Sequence, residues 1–153
     1  MLGSDYATQT CSIARALEAV GERWTLLIVR ELLLRPSRFT DLLRRLGISR
    51  NILISRLTKL VDLEIVHTVN YAHNRDWNTY ELTDKGKDLF PIISALMAWG
   101  DRYAAPNGPP AIFEHSCGHP VGHRLVCQTC DQPVSAETIH AVVGPGYRPS
   151  RPL

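Results

Sequence analysis

The stretch that decides the fold is FTDLLRRLGISRNILISRLTKL, running from Phe39 to Leu60. Its first part, Phe39 to Leu46, reads as a short helix with Phe39, Leu42, Leu43 and Leu46 turned inward. Gly47 turns the chain. Ser49 then supplies an N-cap for a second helix that reaches about Leu60 or Asp62. Two short helices joined at a glycine make a helix-turn-helix, whose second helix lies in the DNA major groove. At about 100° per residue, Leu53, Leu57 and Leu60 share one face of that helix. The opposite face carries Asn51, Ser55 and Thr58, flanked by Ile54 and Lys59. An asparagine pairs with adenine, hydroxyls read either partner, and an aliphatic side chain meets a thymine methyl. Arg50 and Arg56 fall towards the edges, where phosphates run. Arg38 and Ser49 complete the candidate DNA-contacting set on this segment.

Charge supports the same reading. Arg35, Arg38, Arg44, Arg45, Arg50, Arg56 and Lys59 lie in one stretch whose single acid is Asp41. That segment carries +6, against −4 for the rest of a chain whose net charge is +2. A local basic block in a near-neutral protein is the electrostatic footprint of a nucleic-acid face, or else a solvated helix surface.

Upstream, a first helix starts near Ser12, which is placed to cap it, and carries Ile13, Leu17 and Val20 on one face. Trp24 opens a second helix, TLLIVRELLL, apolar nearly all round and so expected at the centre of the core; Pro36 stops it. Downstream, IVHTVN (65–70) and TYEL (79–82) alternate with period two and form a two-stranded hairpin, the wing. Its tip, YAHNRDWN, offers His73, Arg75 and Trp77, of which Arg75 is a candidate for a minor groove or a phosphate. Thr83-Asp84 caps a long last helix with a stripe of Leu89, Ile93, Leu96 and Trp99, and Pro91 inside it predicts a kink or local break. Such a stripe exceeds what one small domain covers and predicts a homodimer.

These blocks resemble the HxlR-type winged helix-turn-helix regulators. The resemblance rests on CSIARAL from Cys11, GERWTLLIVREL from Gly21, RFTDLL from Arg38, GISRNILISRL from Gly47 and YELTDKG from Tyr80, and it covers residues 10–104. It implies a dimer built by the first and last helices that binds pseudo-palindromic operators. Two departures stand out: Glu64-Ile65 where the family usually has Gly-Leu before the wing, and Trp77-Asn78 where it often has Pro. The expected fold is therefore mainly α with a small β-hairpin, a dimeric winged helix-turn-helix carrying a short Cys/His-bearing extension. A small dimer with no activation segment suggests a repressor.

Cys11 sits at the N-terminal edge of the first helix with Arg15 four residues on. Free N–H groups, the helix dipole and a nearby cation favour a thiolate there, and in the thiol-sensing branch of the family a cysteine at this place answers electrophiles or oxidants. The plainer alternative is a small buried hydrophobe. Oxidation beside a dimer interface would alter half-site spacing.

Beyond the domain of residues 1–104, the composition shifts to a linker (105–110), a Cys/His-bearing extension (111–143) and a Pro/Gly-rich end (144–153) expected to be disordered. No internal repeat is evident. Cys117, His119, Cys127 and Cys130 form a candidate Cys₃His set for one structural zinc, with His115 competing for the fourth place and His123 an outsider. The segment is too short to bury a core of its own, and a tetrahedral ion would supply folding energy. A redox dithiol, or a tail packed without metal, is the alternative.

Of the 153 residues, 44% are apolar and 21% charged, the balance of an ordinary globular protein. No apolar run reaches bilayer length, and MLGSDYATQTCSIARAL lacks the basic-then-apolar order of a secretory signal, so a cytoplasmic location is expected. No Gly-rich phosphate loop, nucleophile elbow or evident carboxylate pair argues for catalysis. A small metal- or thiol-dependent enzyme built around Cys127 and Cys130 is one competing reading. A winged-helix interaction module that has lost DNA binding is the other, and it would not need the basic block.

Overall fold

The computed structural model describes residues 6, 11–70 and 78–146. The order is α1 (Ser12–Val20), α2 (Thr25–Leu34), β1 (Ser37–Arg38), α3 (Phe39–Leu46), α4 (Arg50–Asp62), β2 (Val66–Asn70), β3 (Asn78–Leu82), α5 (Asp84–Lys87) and α6 (Phe90–Tyr103). Two compact units divide inside α6, Met1–Ile93 and Ser94–Leu153.

In the first unit the core is aliphatic. Ile28 and Val29 of α2, Leu42 of α3, Leu53, Leu57 and Leu60 of α4, and Val66 of β2 are all buried. Each such side chain withdrawn from water stabilises the fold by about 1.5–3 kcal/mol. The leucines of α4 at i, i+4 and i+7 are what anchor that helix and leave its other face outward. In α2 the burial is one-sided rather than complete: Leu27 and Leu34 are exposed. Trp24 is the N-cap of α2, with φ 80 in the left-handed region, and Arg35 leaves the helix in extended backbone before Pro36.

The wing is larger than a hairpin. Two residues before α3, too short to show an alternating pattern, form β1 and pair antiparallel with β3, so the strand order is β1-β3-β2. Ser37 faces Tyr80 and Arg38 faces Thr79, while Val66 faces Leu82 and Asn70 faces Asn78. The expected tip residues His73, Arg75 and Trp77 lie outside the described residues.

One further expectation needs correcting. Ser12 is not the cap of α1: Cys11 is the N-cap, and its carbonyl accepts from the Arg15 N–H at 3.0 Å. The local break expected in the last helix is present, just before Pro91. The single turn α5 is followed by α6, and Pro91 sits in the first turn of α6, where its missing N–H would have had no intrahelical partner anyway. The Thr83 cap is as expected: its hydroxyl accepts from Gly86 N–H at 3.1 Å and reaches the Glu64 carbonyl at 2.6 Å, tying α5 to the start of the wing.

The junction between α4 and β2 explains one departure from the family pattern. Glu64 has φ 56, in the left-handed region that glycine occupies at no steric cost. A side chain there costs about 1–2 kcal/mol, part of which glycine would return through its greater unfolded-state freedom. Glu64→Gly is therefore expected to raise stability by about 0.5–1 kcal/mol and the melting temperature by a few degrees, checked by thermal unfolding.

In the second unit, the C-terminal half of α6 packs against residues 109–121 around a cavity of about 230 Å³ lined by Met97, Ala98, Phe113, Pro120 and Val121. Two small hairpins follow, marked by the bridges Glu114–Pro120 and Val126–Pro133. Helix packing thus contributes to ordering a segment for which the sequence offered either a metal or packing without one. Residues 147–153 of the expected disordered end lie outside the described residues.

Candidate nucleic-acid interface

Gly47, with φ 62, ends α3 by donating its N–H to the Leu43 carbonyl at 3.1 Å. Ser49 then caps α4, its hydroxyl accepting from the Ile52 N–H at 3.4 Å. With Leu53, Leu57 and Leu60 held inward, Asn51, Ile54, Ser55 and Thr58 stand exposed on the far side. The Arg50 guanidinium lies 4.9 Å from the centre of the Phe39 ring, so α3 braces the first turn of α4. Between α4 and the sheet is a cavity of about 440 Å³ lined by Phe39, Arg50, Ile54, Thr58, Thr68 and Tyr80. Burial there pushes the Tyr80 phenol up from its ordinary pKa.

The basic block does not form one open face. Lys59 Nζ pairs with Glu22 Oε1 at 2.8 Å, and Arg56 pairs with the same carboxylate while its Nε donates to the Arg23 carbonyl at 3.2 Å. Their attraction holds the Glu22 carboxyl below the usual carboxylate range, the Lys59 hydrogen bond being the largest cause. Arg56 and Lys59, expected at the phosphate edge and flank of the reading face, therefore clamp α4 to the turn between α1 and α2. Arg44 pairs with Asp41 at 3.1 Å. Arg45 Nε lies 2.9 Å from the buried Glu31, in an orientation that makes an ion pair rather than a hydrogen bond, and Arg30 holds the other Glu31 oxygen at 2.7 Å. The reason is the acids outside the block: Glu22 and Glu31 come from α2 and the turn before it, and only the packing brings them to the arginines. Arg38 is exposed on the edge strand β1, beside α3. Arg75 lies outside the described residues.

Cys11 is exposed. The backbone N–H groups of Ala14 and then Ile13 lower its thiol below the ordinary cysteine value. The Arg15 guanidinium, expected beside the sulfur, donates to the Tyr6 carbonyl.

In the tail, Cys117 N–H donates to His115 Nδ1 at 3.4 Å, and His119 Nδ1 lies 3.1 Å from the Cys117 carbonyl. Both rings thus engage their own turn. Among the described residues no three His, Cys, Asp or Glu side chains converge to hold a metal ion, so Cys117 and His119 are not gathered with Cys127 and Cys130. Two short stretches of the tail resemble each other. FEHSCGHPV (113–121) and VCQTCDQPV (126–134) align, matching Cys117 to Cys130, Pro120 to Pro133 and Val121 to Val134. The residue after each cysteine is left-handed, Gly118 at φ 81 and Asp131 at φ 55. The closures differ by one residue: Val121 N–H donates to the Phe113 carbonyl at 2.7 Å, but Val134 N–H donates to the Leu125 carbonyl at 2.9 Å, so by hydrogen bonding Phe113 matches Leu125 and His115 matches Cys127.

A helix-turn-helix whose second helix is exposed opposite its core leucines, with a three-stranded wing behind it, defines a winged helix-turn-helix protein, and the comparisons make it a DNA-binding transcriptional regulator. The HxlR-like helix-turn-helix family model matches residues 19–108, and the chain belongs to that family. An uncharacterized HTH-type transcriptional regulator of Mycobacterium tuberculosis is 45% identical over 139 residues, 90% of this chain and 88% of its own. That match necessarily extends past residue 108 into the tail. Among solved structures, PA1607, a proposed transcription factor, superposes with TM-score 0.77 at 33% identity, covering 86% of this chain and 94% of its own. The transcriptional regulator YodB of Bacillus subtilis, in its reduced form, superposes with TM-score 0.54 at 30% identity, covering 63% of this chain and 97% of its own. A quinone-bound form of YodB matches with TM-score 0.52. Among the described residues no helix is long and apolar enough to cross a membrane.

Proposed function

We propose that this regulator acts as a homodimeric repressor, reading a pseudo-palindromic operator in double-stranded DNA through α4 and answering thiol-reactive compounds through Cys11. The observation that carries the DNA reading is the exposed row Asn51, Ile54, Ser55 and Thr58, standing opposite the leucines that fix the helix. Arg38, Ser49 and Arg50 flank that row and contribute phosphate contacts, as does Arg75 from the wing. Arg56 and Lys59 contribute indirectly, by holding α4 in place. Asn51→Ala and Ser55→Ala are expected to relax preference among sequences, each lost base contact costing about 1–3 kcal/mol of discrimination. Arg50→Ala is expected to weaken binding to all sequences alike and to flatten the salt dependence. Binding to operator and scrambled DNA across salt concentrations checks both; an Asn51 variant with undiminished preference refutes the assignment of the reading face.

For Cys11, the support is exposure, the two N–H groups that favour its thiolate, and the likeness to YodB, which has been solved reduced and quinone-bound. A thiol with a lowered pKa has more thiolate at neutral pH. Cys11 is therefore expected to alkylate with a pH midpoint below that of an ordinary cysteine, and Cys11→Ser to abolish release of DNA by a quinone. Peptide-resolved alkylation with iodoacetamide and a DNA-release assay test this. An ordinary midpoint, or full quinone sensitivity in the serine variant, removes Cys11 from the mechanism. The relatives and the family are transcriptional regulators, which supports this reading over that of an enzyme.

A further inference from the structure

The cavity of about 440 Å³ between α4 and the sheet has walls that base reading does not require. Arg50, Ile54, Thr58 and Val61 line it from α4 at i, i+4, i+8 and i+11, one stripe of the helix. Phe39 lines it from α3 and Tyr80 from β3. Two aromatic rings and two aliphatic side chains thus surround the space, and its size falls within the about 300–1,000 Å³ of small-molecule sites. Its polar groups are uncommitted. The Arg50 guanidinium lies over the Phe39 ring, a contact that uses its face and leaves its N–H edge. Among the described residues, no hydrogen bond or ion pair takes up those N–H groups or the Tyr80 hydroxyl. Arg44, Arg45 and Arg56, by contrast, each face a carboxylate. Asp62, the acid on this wall among the described residues, stands at the far end of α4, about 18 Å along its axis from Arg50.

We propose that this cavity binds a small aromatic monocarboxylate and that the bound molecule excludes operator DNA. The carboxylate takes the free N–H edge of Arg50, a planar fork that matches two carboxylate oxygens. The ring of the ligand lies among Phe39, Ile54 and Val61, and the Tyr80 hydroxyl supplies a further donor from the sheet wall. Asp62 disfavours a second negative charge at the other end. The consequence for DNA rests on α4 as the reading helix. Ile54 and Thr58 belong both to the cavity and to the exposed row, and Arg50 exchanges an operator phosphate for the ligand carboxylate. Ligand and operator therefore compete, and each lowers the apparent affinity of the other by the same factor. This release needs no covalent chemistry at Cys11.

The test titrates 2-naphthoate into the full Cys11→Ser chain by calorimetry, first without DNA. One molecule per chain is expected to bind. Added Arg50→Ala is expected to weaken that binding at least about tenfold and added Tyr80→Phe about fivefold, both proteins melting close to the Cys11→Ser parent. 2-Naphthamide, the same ring without the charge, is expected to bind at least about tenfold more weakly than 2-naphthoate. In the second stage, 2-naphthoate at about ten times its dissociation constant is expected to raise the apparent operator dissociation constant about tenfold. The same concentration shifts the Tyr80→Phe protein about fivefold less, although its operator binding without ligand matches the parent. No heat of binding up to about 5 mM 2-naphthoate overturns the site. So does equal binding of the amide, or undiminished binding in Arg50→Ala. Binding as expected with operator affinity unchanged overturns the exclusion of DNA. Because the first stage contains no DNA, it decides the cavity even where α4 proves not to read the operator.

Discussion

Gly86→Ala is expected to cost at least about 3 kcal/mol and to abolish the cooperative thermal transition of the intact domain, or to lower its midpoint by more than about 10 °C. Gly86 lies in α5, buried where that turn crosses the end of the α4–β2 junction. A Cβ built there falls 2.2 Å from the Ile65 carbonyl oxygen and 3.0 Å from the Leu82 Cδ2. The leucine methyl has room to turn. The carbonyl has none, because it already accepts from the Thr83 N–H at 3.1 Å and Ile65 itself is buried. Relief therefore requires α5 to lift off the wing, breaking the Thr83 contacts to Glu64 and Ile65 as it goes. Scanning calorimetry or denaturant unfolding of the variant reads this directly. A loss below about 1 kcal/mol would mean that the two segments approach less closely than described.

The second large effect concerns association. Ile92, Leu96, Trp99 and Tyr103 are spaced i, i+4, i+7 and i+11 along α6, and between 51% and 62% of each is exposed. The Trp99 and Tyr103 rings lie 5.5 Å apart, so the end of the ridge is already ordered. On α1, Ile13 is 70% exposed, and Leu17 is exposed one turn on. Apolar rows of this kind at helical spacing suit a second copy of the same surface under twofold symmetry. The double substitution Leu96→Asp and Trp99→Ala is expected to give a monomer at micromolar concentration by sedimentation. The lost link between half-sites is expected to lower operator affinity at least about 100-fold. Because these side chains are exposed in the protomer, the variant is expected to keep a cooperative transition, with its midpoint lowered only by the loss of association. A variant that remains dimeric would place the interface elsewhere.

The ridge shows where a pattern in sequence stops being informative. The stripe expected from periodicity was Leu89, Ile93, Leu96 and Trp99. The first two belong to the protomer: Ile93 is buried and Leu89 half-buried. The exposed row instead begins at Ile92. Periodicity reports that a helix is amphipathic but not which neighbour takes each apolar side chain, and α6 has apolar residues on more than one face. Likewise, Arg56 and Lys59 read as DNA contacts because their charge and position fit, and nothing local revealed that Glu22 lies against them.

What the sequence determined by itself was local. The leucine spacing of α4, the Ser49 and Thr83 caps, the Gly47 turn and the alternation of the wing strands each act over a few residues, through backbone hydrogen bonds and side-chain sterics that neighbours in the chain dictate. Together with the ordered family blocks, they sufficed for a winged helix-turn-helix and for the exposed row on α4. The tertiary structure alone decided what depends on partners distant in the chain. It paired β1 with β3 across about forty residues and joined Glu22 and Glu31 to the arginines of α3 and α4. It pressed Gly86 against Ile65 and set Cys127 and Cys130 in one turn apart from Cys117. Long-range electrostatic and packing contacts choose among side chains of the same type, and that choice is made only when the chain closes on itself.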